Sequence, residues 1–321
     1  MPVFAPLIAK TREAAIVRRH KTVIRHAEIL NAPHLHAFLD PWAVGVSALA
    51  VGLALLAAIL HASWNAFLRT GADRLWSITV MSLAGSIITL PFLFAVPLPG
   101  PAAWPYILLS SCLQVGYSLF LVAAYRHGEL GQVYPIVRGT VPLLVTLGGL
   151  LLFGEVLGTW QSLGVLMIAA GIMSLSLGKT RAATSSILFA LTTGLIIACY
   201  STVDSRGVKL VDEPAAYALW VLFIFGLMIT LAYVVKRRGL VVDPRSPVTW
   251  KAVGGGVLAM LAYGLVVVAY AYAPAGLVTA VRETSVVFAV LIGALVLGEQ
   301  LTLRRVLACL IVAGGAICIS L

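Results

Sequence analysis

The chain is 321 residues long, 61% hydrophobic and 11% charged, with a mean hydropathy of +1.03 and a formal net charge of +10. Soluble domains are roughly 45–50% apolar and about 25% charged, so composition excludes an ordinary water-soluble fold. Nor is the positive charge a nucleic-acid footprint, because the mostly short loops leave little surface to carry one, and no nucleic-acid partner is expected.

Residues 1–43 form a basic tail with Lys10, Arg12, Arg18, Arg19, Lys21 and Arg25. It lacks the short apolar core of a cleavable signal. "TREAAIVRRHKTVIRHAEIL" could form a surface helix beside anionic lipid, but a loosely ordered tail is the expectation. His20, His26, His34 and His36 have no regular ligand spacing, and no metal is expected.

Ten apolar stretches follow: Val44–Leu68, Trp76–Val96, Trp104–Tyr125, Val133–Phe153, Trp160–Leu177, Ser185–Val203, Ala215–Val234, Ala252–Tyr272, Gly276–Leu297 and Leu303–Leu321. A bilayer core asks for roughly 20 apolar residues per helix. The runs are continuously apolar and do not alternate, which predicts helices and not a barrel. Trp42, Trp76, Trp104, Trp160 and Trp250 fall near span starts, where an amphipathic ring suits the headgroup zone. Cys112, Cys199, Cys309 and Cys318 lie within spans in no zinc or haem pattern and read as small core residues. "LGKT" (177–180) ends like a phosphate-binding loop, but Met173 stands where its first glycine belongs. No ATP site and no cofactor are expected.

Sliding residues 133–177 onto 277–321 with a constant offset of 144 gives 15 identities in 45 positions. They include Arg138/Arg282 and Gly154-Glu155/Gly298-Glu299. With small gaps upstream, Tyr117 falls on Tyr263 and Trp64 on Tyr200. The chain therefore reads as two five-helix repeats, 44–177 and 185–321. A copy that begins after five crossings enters from the opposite face, so the repeats are inverted and related by a pseudo-twofold axis in the membrane plane. Such halves can exchange conformations, which exchanges the side on which a central cavity opens.

"AAILHASWNAFLRTGADR", "VYPIVRGTVPLL", "AVRETSVVFAVLIGALVLGE" and the paired "GE" ends resemble the EamA-type transporters of the drug/metabolite transporter superfamily. The resemblance covers residues 44–321. It implies an all-α fold of ten helices in two inverted repeats, with a central cavity lined mainly by the first, third and fourth helices of each half. The chain is expected to be a multi-pass protein of the bacterial inner membrane, as monomer or homodimer, acting on a small-molecule substrate with protons as a candidate coupling ion. Loop charge and resemblance disagree on orientation. The odd-numbered loops carry twelve Lys and Arg, among them Arg69, Arg74, Lys236, Arg237 and Arg305. The other face has Arg206, Lys209 and the tail's six, mostly beyond the roughly 15–20 residues that count. Loop charge puts the N-terminus outside; the resemblance implies both termini inside.

Four strongly polar or titratable residues lie well within the predicted spans: His61, Arg138, Arg282 and Glu283. A charge at a helix centre costs roughly 2.5–3.5 kcal/mol on insertion scales and usually faces a bundle interior or cavity. Snorkelling to the headgroups is the alternative for each arginine. Their recurrence in inverted halves favours cavity positions where a guanidinium fork meets an anionic substrate group. Pro135 and Pro142 either loosen the helix around Arg138 or, for Pro135, merely start it. Glu283, opposite Gly139 in the repeat, is the candidate for proton coupling or for an ion pair with Arg138. Adjacent helical residues do not face each other, so Arg282 is not its expected partner. His61 and Asn65 share a helix face beside Trp64. Trp64, Tyr117, Tyr200 and Tyr263 form two repeat-related aromatic pairs suited to an apolar or cationic part of a substrate. The function expected is a secondary transporter, and in direction an exporter, of small polar or amphipathic metabolites, anionic or zwitterionic. A membrane enzyme acting on lipid-linked substrates would want clustered acids and histidines, and only His61 and Glu283 are offered. A channel finds no ring of repeated charges.

Overall fold

A computed structural model of the chain describes residues 47–68, 73–127, 130–176, 184–297 and 301–321. The basic tail, "LGKT" and the second Gly-Glu pair lie outside the described residues. Among those described, the regular elements are all helical. They are α1 (Ala48–Leu68), α2 (Arg74–Thr89, extended by a 3-10 turn over Leu90–Phe94), α3 (Trp104–His127), α4 (Leu130–Phe153), α5 (Thr159–Ser174) and α6 (Thr184–Gly207). The chain continues with α7 (Pro214–Arg237), α8 (Pro247–Tyr270), α9 (Ala275–Glu283), α10 (Ser285–Leu297) and α11 (Leu303–Ser320). Nine helical segments among the described residues are long and apolar enough to cross a membrane, α9 and α10 counting together. The tenth, α5, has 16 residues, about 24 Å at 1.5 Å per residue, a little short of a roughly 30 Å hydrocarbon core.

Helix starts follow local chemistry. Asp73 Oδ1 accepts from the Trp76 N–H at the start of α2. Ser246 caps α8 ahead of Pro247, and Pro214 opens α7. Proline suits a first turn because its missing N–H would have had no partner there.

Packing between the halves is reciprocal. α1 lies on α8 and α3 on α6, so first meets third in both directions. α2 packs on α7, α4 on α9 and α5 on α11, each on its own counterpart. A pseudo-twofold relation between inverted repeats requires this pattern. Gly164 and Gly315 let α5 and α11 touch backbones: a Cβ on Gly315 would sit 2.8 Å from the Gly164 carbonyl oxygen.

The outer surface carries Leu147, Leu151, Leu195, Leu231 and Leu295. Cys112 and Cys199 are exposed among such residues. The expectation that all four cysteines are core residues therefore fails for these two. In a bilayer the outward face is apolar too, so hydrophobicity does not distinguish lipid from core.

The ninth span departs from a single helix. It ends as α9 at Glu283, turns at Thr284, whose N–H bonds the Val281 carbonyl at 3.1 Å, and resumes as α10 at Ser285. Its N-terminus is held from the other half. Gly154 adopts φ +67° and ends α4, and Glu155 then accepts from the Ala275 N–H (3.2 Å) and from Lys209 Nζ (3.0 Å). The first Gly-Glu pair is thus a turn and a cap. Removing such a cap costs about 1 kcal/mol. E155A is expected to lower thermal stability by that order and to speed amide exchange in α9, read by hydrogen–deuterium exchange.

Candidate functional site: a charged triad beside an aromatic pocket

Glu283 is fully buried, and Arg138 and Arg282 are 5% and 7% exposed. Arg138 Nη1 donates to Glu283 Oε1 at 3.0 Å and to Oε2 at 3.3 Å. Arg282 Nη2 donates to Oε1 at 2.7 Å. One carboxylate from α9 therefore joins a guanidinium from each half, and two positive charges against one negative leave a single positive charge. Neither arginine snorkels: both guanidinium groups end on Glu283.

The pairing of neighbours Arg282 and Glu283 corrects the helical-wheel expectation. In a continuous helix these side chains diverge by about 100°. Here they occupy the last turn of α9, where the helix stops, and a long guanidinium can reach back to the next residue. The asymmetry of the repeat also has a cause. A Cβ at Gly139 would sit 3.1 Å from the Ala169 carbonyl oxygen and closer still to Met173. α5 leaves no room for a carboxylate in the first half. Pro135 and Pro142 both lie inside α4, which runs unbroken from Leu130; Pro135 does not start the helix.

His61 extends the cluster. Its Nε2 touches Arg138 Nη2, and its Nδ1 faces Trp64 Nε1 at 3.2 Å. A neutral imidazole carries one N–H, so it can accept from one of these two donors at a time. The Asn65 amide bonds the His61 carbonyl at 2.8 Å and stays on its own helix.

Next to the triad lies a pocket of about 930 Å³, its open part included. His61, Trp64, Tyr117, Tyr200, Tyr263 and Arg282 belong to its wall; Arg138, Glu283 and Asn65 do not. Tyr117 and Tyr200, one from each half, approach to 6.0 Å between ring centres. Ile78, Met81, Leu121, Leu222, Phe225 and Met260 supply an apolar lining, and Gln114 and Ser118 add hydrogen-bonding groups. Arg282 Nε is buried without a hydrogen-bond partner. A small-molecule site commonly has this make-up, apolar and aromatic walls with a few placed polar groups.

The EamA-like transporter family model matches residues 48–177 and again 184–321, nearly the whole chain beyond the tail. The chain belongs to the EamA-like transporter family. It is an integral, multi-pass membrane protein of a transporter family, built as two inverted five-helix repeats around a central cavity. Solved structures agree on the fold: 28 chains match. One, a crystal structure of a protein, superposes with a TM-score of 0.69 at 19% identity, covering 85% of this chain and 98% of its own. A comparison with curated proteins gave no match.

Within this EamA-like chain, one acid escapes the sequence reading. Asp204 lies just past the predicted end of the sixth span, so Glu283 reads as the sole intramembrane acid. α6 in fact continues to Gly207, and Asp204 is fully buried in it. Its carboxylate accepts from Tyr217 Oη at 3.0 Å and from Tyr263 Oη at 2.9 Å.

Proposed function

We propose that the chain is a secondary transporter that moves small amphipathic organic anions or zwitterions by alternating access, exporting them across a bacterial inner membrane. The observation that carries the substrate class is the composition of the triad. Its surplus positive charge lies on groups whose one pocket-wall member is Arg282, with a buried Nε still without a partner. A carboxylate or phosphate there would meet a permanently charged, planar donor fork. The aromatic and aliphatic walls fit an apolar substrate body. Reciprocal packing of the inverted halves supports alternating access, because the same contacts serve both arrangements with the roles of the halves exchanged. The direction follows from the family resemblance. The test is a screen of organic acids and zwitterions in vesicles containing purified protein. Accumulation that saturates without chemical change in the solute agrees with a carrier; product formation argues for an enzyme, and non-saturating flux for a channel.

The aromatic part of the site has its own expectation. W64A and Y200A each remove a large ring from the pocket wall and are expected to weaken binding about tenfold, equivalent to roughly 1.4 kcal/mol. Thermal melts of the same variants check the alternative. Lower stability with unchanged half-saturation would make both rings packing residues.

A further inference from the structure

Asp204 has the surroundings that Glu283 lacks. Two guanidinium groups compensate Glu283. Among the described residues no Lys, Arg or His pairs with Asp204. Its partners are hydroxyls, Tyr217 from α7 and Tyr263 from α8, with Ser110 of α3 as a third. The other titratable groups toward it are Tyr200 on its own helix and Tyr270 on α8, while Arg282 of α9 lies toward those two tyrosines. Arg138 of α4 lies toward Tyr200 as well. An uncompensated charge in a dry interior costs free energy that taking up a proton relieves.

Its position gives the proton a consequence. The pocket takes Gly256 to Tyr263 from α8 and Gln114 to Leu121 from α3. Tyr263 and Gln114 are thus its limit toward the face where α6 ends and α7 begins. Asp204 and Tyr217 lie beyond that limit, each within a turn of that face. Gln114 Nε2 donates to Tyr263 Oη at 3.3 Å and to Ser110 Oγ at 3.1 Å, so a continuous hydrogen-bonded layer borders the pocket on this side. Gly207 belongs to the design. A Cβ there would come 2.6 Å from the Tyr217 hydroxyl oxygen and closer still to the ring edge, so glycine is what lets the hydroxyl reach Asp204.

We propose that Asp204 is a proton-binding site that gates the cavity: ionised, it holds Tyr217 and Tyr263 together across that side, and protonated, it lets them part. The proton arithmetic is simple. An ionised carboxyl accepts from both tyrosines. A proton from water makes it a donor on one oxygen, and the tyrosine facing that oxygen must turn its own hydrogen elsewhere or move off. For Tyr263 the free direction is the pocket. The inference rests on the transporter reading for its purpose, but proton binding itself is measurable without any substrate.

Infrared difference spectra of the purified full-length protein, recorded as pH falls through neutrality, report protonated carboxyls by their C=O stretch. Exposed carboxylates, which titrate near about 4, remain ionised there. The expected result is a carboxylic-acid band in the wild type that is lost in D204N, kept in E155Q and moved to higher frequency in Y217F, where the carbonyl oxygen loses the donor that stays with it. Y272F, altered at a surface tyrosine, should leave it in place. Hydrogen exchange in residues 204–218 should rise several-fold across the same titration in the wild type and not in D204N at matched pH. A wild type without the band, a band that persists in D204N, or exchange that rises equally in both proteins overturns the proposal. Should D204N fail to fold, a band unmoved by Y217F overturns it alone. Failure of the organic-anion reading would appear separately, in the vesicle screen.

Discussion

E283Q is expected to be the most destabilising single substitution in the membrane interior, at about 3–5 kcal/mol. The reason is the count of buried charge. The wild-type triad carries one net positive charge, with Glu283 bonded to both arginines at 3.3 Å or less. Amide replacement keeps the shape but leaves two guanidinium groups facing each other with no anion between them. R138M should cost less, because Glu283 keeps Arg282 and the remaining pair is neutral. R138M/E283Q returns the count to one positive charge and is expected to be more stable than E283Q alone. Additivity would instead make the double variant the worst of the three, so its failure is the informative signature of a coupled cluster. Thermal unfolding in detergent, followed by tryptophan fluorescence, ranks them. If E283Q melts with the wild type, the carboxylate is not the centre of the cluster.

The repeat and its charged residues are legible in the sequence because each rests on a strong local signal. Ten long apolar runs mark the helices, and an arginine within such a run is costly enough to mark a buried position. The recurrence of Arg138 as Arg282 puts one guanidinium in each half. What is not legible depends on backbone events and on the edges of spans. Proline is the usual sign of a broken helix, yet α4 with Pro135 and Pro142 is continuous, and the break falls in the ninth span after Glu283, where no proline stands. That break is what brings Arg282 and Glu283 together. Asp204 is missed because hydropathy ends a span at its first polar cluster, here Asp204-Ser205-Arg206. A signal was present: Asp204 lies four residues after Tyr200, so the two share a helix face, and Tyr200 is already a pocket candidate. Cys112 and Cys199 go astray for the opposite reason, since an apolar residue in a bilayer has two apolar places to go.

Arg282 should decide substrate affinity, and its neighbours should decide whether its charge is available. R282A is expected to raise the half-saturating concentration of an anionic substrate by about 30-fold or more, equivalent to roughly 2 kcal/mol for truncating one partner of a buried charge-assisted contact. R282K keeps the charge but replaces a planar fork by a compact ammonium. It should recover only part of that loss, and less for substrates that offer a carboxylate or phosphate to two donors at once. R138M leaves Arg282 untouched yet is expected to weaken anion binding, because Glu283 then neutralises the one remaining guanidinium. Adding E283Q frees that guanidinium and should restore affinity in R138M/E283Q, although two residues of the triad are gone. Distance alone would predict the reverse, since Arg138 and Glu283 are absent from the pocket wall and changing both should do no less harm than changing one. Flux measurements on the wild type and the four variants against a single substrate separate these outcomes. Equal affinity in wild type, R138M and the double variant would remove the triad's charge balance from substrate recognition and leave the aromatic walls to account for binding.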